Sequence, residues 1–131
     1  MIVVDTHVII WDALQPEKIS RKARAEIKAA NESDGIIFCD ISLWEIAILI
    51  HKKRIRIETD YLTFTQLIKT SNKYIFQNIT PEIANLSVEL SSTITSDPAN
   101  RIIVATALVK NVSLVTADRS LRNSKHIQTI W

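Results

Sequence analysis

Met1-Ile2-Val3-Val4-Asp5-Thr6-His7 decides how the rest of the chain is read. Three consecutive β-branched residues form a short strand, and an uninterrupted apolar run of this length suits a strand buried on both faces. A carboxylate follows the strand at once. Similar runs recur at Ile36 to Cys39, after an Asp34-Gly35 turn signal, at Ser113 to Thr116 and at Gln128 to Trp131, with Tyr74 to Phe76 as a fifth candidate. Segments of helical period lie between them. Ser20 caps a helix through Ala30, and Ser42 to Lys53 is strongly apolar and helical. Asp60 to Lys69 and Pro81 to Leu90 are amphipathic, and Asp97-Pro98 opens a helix that runs through Lys110. Strands alternating with helices predict an α/β fold, an α/β/α sandwich with a mostly parallel central sheet. With 131 residues and no linker, repeat or low-complexity stretch, one domain over 1–131 is expected.

Composition narrows the chemistry. Hydrophobic residues make up 47%, enough for a packed core, and the net charge of +2 neither demands nor excludes a nucleic-acid partner. The single glycine, Gly35, excludes a P-loop or a dinucleotide fingerprint, because both need several glycines for close backbone approach to phosphate. One cysteine, Cys39, forms no internal disulfide and reads as a core thiol. With no signal peptide and no apolar run long enough to span a bilayer, a cytoplasmic location without membrane association is expected. Zinc is not indicated, since His7 and His126 lack ligand spacing.

Parallel sheets place their sites at the carboxyl ends of strands. That rule selects Asp5, Asp40 and Asp118 among the acids. Asp5 also suits a helix N-cap. Glu45 lies in Leu43-Trp44-Glu45-Ile46-Ala47, where burying a carboxylate is costly unless something cationic satisfies it. Asp97 before Pro98 reads as a helix cap, with Asn100 in the first helical turn beyond it. Asp118 ends Leu114-Val115-Thr116-Ala117-Asp118 and suits a turn or cap as well as a site.

Together these segments resemble a known family. Val-Asp-Thr, Leu-Trp-Glu-Ile, Asp-Pro-x-x-Arg-Ile-Ile-x-Ala-Thr-Ala and Leu-Val-Thr-Ala-Asp occur in this order in PIN-domain proteins. They resemble in particular the toxin ribonucleases of VapBC-type toxin–antitoxin pairs, over essentially the whole chain. The resemblance implies an acidic pocket for Mg²⁺ or Mn²⁺, cleavage of RNA within the strand, and a cognate antitoxin as partner. By matching motif it implies catalytic roles for Asp5, Glu45 and Asp118, and pocket hydroxyls from Thr6 and Thr116. The family's acid before Arg101 is Asn100 here, the one clear departure.

A carboxylate cluster suits a hard ion such as Mg²⁺. Asp5 and Asp118 are the expected ligands, with the Asn100 amide oxygen in a third place and Glu45 completing the cluster or orienting a water; one ion or two is left open. Asn is shaped like Asp but is neutral and accepts no proton, so weaker metal binding and slower hydrolysis are expected. The change is either introduced to silence a toxic nuclease, the preferred reading, or natural, with Asp97 compensating in part. A PIN fold that only binds RNA or antitoxin is the alternative.

Arg119, Arg122 and Lys125 follow Asp118 and are candidates to hold an RNA backbone, and Arg101 is a candidate partner for a carboxylate or phosphate. The run His51-Lys52-Lys53-Arg54 with Arg56 complements the end of the preceding helix. Trp11 and Trp44 suggest core or interface packing. The apolar surplus at Ile46, Ile48, Leu49 and Ile50 predicts a groove for a partner helix or a homodimer contact. A haloacid-dehalogenase-type phosphotransferase would want an acid where His7 stands. A receiver domain would want paired acids before the first helix. Neither pattern is present.

Overall fold

The computed structural model describes residues 1–131. Five strands form one sheet: β1 (Ile2–Val4), β2 (Ile36–Cys39), β3 (Tyr74–Gln77), β4 (Ser113–Val115) and β5 (Thr129–Ile130). Their order is β3-β2-β1-β4-β5, and every pairing is parallel. Seven helices cover the sheet: α1 (Thr6–Leu14), α2 (Arg21–Asn31), α3 (Ile41–His51), α4 (Tyr61–Ser71), α5 (Pro81–Glu89), α6 (Pro98–Lys110) and the one-turn α7 (Arg119–Arg122).

The period-2 geometry of a strand explains the two cores. Ile2 and Val4 point to one face, where they pack with Val8 and Ile9 of α1, Ile27 of α2, Ile46 of α3 and Phe64 of α4. Val3, between them, points to the other face and joins Ile37, Leu114, Ile103 and Val104. Neither face of β1 meets solvent, so an uninterrupted apolar strand is the only kind that fits there.

Most helices start on a side chain that satisfies the free N–H groups of the first turn. Ser20, Asp60 and Thr80 do this for α2, α4 and α5, and such caps contribute about 1 kcal/mol each. Gly35 sits at φ +100, where a Cβ would meet the Lys73 carbonyl oxygen at 2.9 Å; this turn needs glycine for both reasons.

The observed elements follow the sequence pattern within a residue or two, apart from a C-terminal strand that shortens to two residues. The pattern does not delimit α1 or α7. Helix α1 is apolar on most of its circumference, and α7 is too short to carry a period.

Arg101 departs from its expected role. Its guanidinium donates to the carbonyls of Ser87 (2.9 Å), Thr95 (2.9 Å), Val88 (3.2 Å) and Leu90. These oxygens belong to the last turn of α5 and the loop after it, where helix carbonyls have no partner of their own. Arg101 therefore fastens α5 to α6, with most of its donors taken by backbone carbonyls. Arg101→Lys, which keeps the charge but not the fork, is expected to lower unfolding free energy by about 2 kcal/mol. Urea denaturation checks this, and RNA affinity should stay unchanged.

Candidate active site

The strand order reverses at β1. From it the chain builds outward to β2 and β3 on one side, then returns to place β4 and β5 on the other. Two loops therefore diverge at the carboxyl ends of β1 and β4 and leave a crevice between them. Asp5 lies on one side of that crevice and Thr116 on the other.

The Asp5 N–H donates to the Val115 carbonyl at 3.1 Å, which extends the ladder one residue beyond the strand. The residue is only 6% exposed. One oxygen, Oδ1, accepts the His7 N–H at 3.1 Å and so caps α1. The other, Oδ2, accepts the Thr116 hydroxyl at 2.6 Å across the crevice. Thr116 in turn accepts the Asp118 N–H at 3.1 Å. One hydroxyl thus links both loops.

Glu45 reaches the same edge from α3. The Thr6 hydroxyl donates to its Oε1 and lies 2.8 Å from the Ser42 hydroxyl, one turn earlier on the same helix face. Burial pushes the Glu45 carboxyl above the usual range; the Thr6 hydrogen bond opposes this, the charges of Asp97 and Asp5 add to it, and His7 eases it. Glu45, Asp5 and Asp97 therefore share one electrostatic neighbourhood.

Asp97 caps α6 as its sequence suggests, with Oδ1 accepting from the N–H groups of Ala99 (2.9 Å) and Asn100 (3.3 Å). The sequence does not reveal that its charge also reaches Glu45. The Asp-Pro pair signals a helix start, and only the packing of α6 against α3 turns that start toward the carboxylates. Asn100, half-exposed, stands in the first turn of α6.

Asp118 caps α7. Its Oδ1 accepts the Ser120 N–H (2.9 Å), the Ser120 hydroxyl (2.6 Å) and the Leu121 N–H (3.2 Å). Its charge is not among the leading influences on Glu45. No three His, Cys, Asp or Glu side chains converge closely enough to hold an ion. Asp97 and Asp118 each turn one oxygen into their own helix start.

The donor set nevertheless suits a hard cation. Its oxygens come from carboxylates and hydroxyls. No Lys or Arg neutralises them, since the only ion pair in the chain joins the N-terminal amino group to Asp34 at 3.9 Å. Asp40 begins α3 without a side-chain cap. Cys39, beside it, is buried, and its thiol is pushed up to about 12, first by burial and then by Asp40, Asp5 and Glu45, against a hydrogen bond from Thr106. It is an inert core thiol.

Arg119, Arg122 and Lys125 are exposed beyond Asp118. The predicted apolar surplus on α3 divides. Ile46 is fully buried, Ile48, Leu49 and Ile50 are half-buried, and Trp44 is 57% exposed and so not a core residue. A groove of about 1160 Å³ runs between α1, α4 and the segment after α3, with His7 and Trp11 along one wall.

The raised Glu45 pKa sets a sign for stability. The folded state holds this proton more tightly than the unfolded chain, whose ordinary value is 4.5. Glu45 therefore costs no stability below that value, and stability is lost as pH rises through the folded pKa. Glu45→Gln should gain more stability over the unaltered chain at pH 7 than at pH 4. Equal gains at the two pH values, by denaturant titration, would contradict this assignment.

The family model for the PIN domain matches residues 2–126. A relative in Mycobacterium tuberculosis, Ribonuclease VapC22, is 33% identical over 132 residues, covering 99% of this chain and 98% of the relative. Solved structures share the fold at lower identity. VapBC2 from Rickettsia felis, bound to a DNA fragment from its promoter, has a TM-score of 0.72 at 11% identity, covering 98% of this chain and 97% of that one. FitAcB from Neisseria gonorrhoeae has a TM-score of 0.66 at 15% identity, covering 98% and 96%. The parallel sheet, the acids at its carboxyl edge and the full-length match agree: this chain belongs to the PIN-domain family, with VapC-type toxin ribonucleases as its kin.

Proposed function

We propose that this chain is a divalent-metal-dependent endoribonuclease, the toxin of a toxin–antitoxin pair, whose activity is lowered by Asn100. The observation that carries this reading is the gathering of a buried Asp5 and a half-buried Glu45, which feels the Asp5 charge, at the β1–β4 crevice with no ion-paired cationic side chain to balance them. Such a pair is expensive to maintain for stability alone.

Asp5 and Asp118 would hold Mg²⁺ or Mn²⁺, with the Asn100 amide oxygen as a weaker donor. When bound, the ion supplies a water of lowered pKa and screens the phosphate from the carboxylates. Thr116 fixes the Asp5 carboxylate, and Thr6 fixes that of Glu45. With its raised proton affinity, Glu45 Oε1 is suited to orient the attacking water and take its proton as the water oxygen bonds to phosphorus. The P–O bond to the leaving ribose oxygen then breaks, and that oxygen takes up a proton. Asp97 contributes negative potential close to where the family acid would stand. Arg119, Arg122 and Lys125 lie beyond Asp118, where they suit the RNA backbone.

A cognate antitoxin is the proposed protein partner, and the groove beside α1 is where it would dock. The walls carry Trp11, Leu49, Ile57 and Leu67, with charged side chains from both Arg54 and Glu58. A segment lying there passes His7, next to Glu45, and so blocks the site. Leu62 of α4, 75% exposed and outside that groove, suits a contact with a second copy of the chain. The cytoplasm is the proposed location. No helix is long and apolar enough to cross a membrane.

Asn100 favours a second reading, in which the chain only binds RNA or antitoxin. Cleavage assays separate the two. With Mg²⁺ or Mn²⁺ supplied, Asn100→Asp should raise RNA cleavage by a factor on the order of 10 to 100, and adding Asp5→Asn should abolish the gain. The same substitution should increase the rise in Tm produced by Mn²⁺. No gain in either readout would remove Asn100 from the site.

A further inference from the structure

A second feature lies on the same edge of the sheet, outside the acidic crevice. Lys22, Arg119 and Arg122 line a hollow of about 490 Å³ together with Trp131. None of the three cations has a carboxylate partner, since the only ion pair lies at Met1 and Asp34. Like charges gathered around one hollow repel, and a polyanion relieves that repulsion.

The position follows from the topology. Trp131 comes directly after β5, whose Ile130 pairs with Val115, so it stands level with Thr116 at the carboxyl edge. Its ring lies 5.8 Å from that of Trp11, tilted by 53°. Trp11 in turn lies 6.0 Å from His7, one turn earlier on α1. His7 is exposed, and its imidazole acts on Glu45. Three rings thus step from the carboxylates to the cationic hollow, and both tryptophans stay partly exposed along the way.

We infer that this row is a subsite for single-stranded RNA. Lys22, Arg119 and Arg122 take a phosphate outside the crevice, and Trp131 stacks on the base of that nucleotide. Trp11 and His7 guide the strand inward to Glu45. A cationic hollow alone would fit an acidic peptide equally well. Trp131, partly exposed and lining the same hollow, favours a nucleobase, because every base offers a π-face and an acidic side chain offers none. The inference rests on the ribonuclease reading and adds a location and a polarity-independent mode of binding to it.

Binding without turnover tests it, with EDTA present and a labelled oligouridylate as probe. A ribose-phosphate strand of the same length without bases serves as the second probe. Trp131→Ala should weaken oligouridylate binding about tenfold, leave the abasic strand unaffected, and be rescued by Trp131→Phe. The double substitution Arg119→Ala with Arg122→Ala should weaken both probes. It should also flatten the salt dependence by about 0.7 in logarithmic slope for each phosphate no longer neutralised. If Trp131→Ala does not fold, the arginine pair with the two probes decides alone: the intact chain must prefer oligouridylate to the abasic strand, and the arginine change must weaken both. Equal affinity of the intact chain for the two probes overturns the stacking role. So does displacement of oligouridylate by polyglutamate with the same dependence on Trp131. Cleavage of RNA by Asn100→Asp that is indifferent to all these changes would sink this subsite and leave the ribonuclease reading standing. Absence of any RNA binding or cleavage would sink both.

Discussion

The hydrogen bond from Thr116 to Asp5 spans the place where the strand order reverses. Strands β1 and β4 are neighbours in the sheet but more than a hundred residues apart in sequence, and their loops leave it in opposite directions. Without a link at that edge, two polar loop starts would face each other across a crevice closed below by apolar side chains. Thr116 meets the requirement from one side and Asp5 from the other. The Asp118 N–H then adds to the same hydroxyl. The orientation of Asp5, the start of α1 and the approach to α7 all depend on this arrangement.

Charge is distributed unusually around that link. The chain carries 16 basic and 14 acidic residues, yet it forms a single ion pair, between the N-terminus and Asp34. The carboxylates of Asp5, Glu45 and Asp97 gather at the crevice, and Lys22, Arg119 and Arg122 gather beside it. Opposite charges this close to one edge would gain Coulomb energy by pairing. Their separation keeps both sets available. An acidic crevice attracts a cation and a cationic hollow attracts phosphate, and cleavage of a phosphodiester calls for the two side by side.

Much of this was legible in the sequence because it depends on local rules. Val3 had to be apolar to lie between two cores, and Ser20 and Asp97 carry the signature of a cap in their own side chains. Acids immediately after strands could be placed at one edge from strand direction alone. What the sequence concealed depends on packing between distant elements. The partners of Arg101 are backbone carbonyls up to fourteen residues away, which no side-chain pattern marks. The charge of Asp97 reaches Glu45 only because α6 packs against α3. Trp131 gains its meaning from Trp11, on an element whose limits the apolar pattern does not define.

The same packing sets the charge balance at the start of α6. Glu45 is already pushed toward its neutral form by burial, by Asp97 and by Asp5. No ion-paired cationic side chain stands there to absorb that repulsion. Carboxylates gathered in this way are costly unless a cation balances them. Asp97, exposed to solvent and already satisfied as a cap, keeps some negative potential at lower cost. The one carboxylate at this helix start therefore serves the fold and the electrostatics of the crevice together.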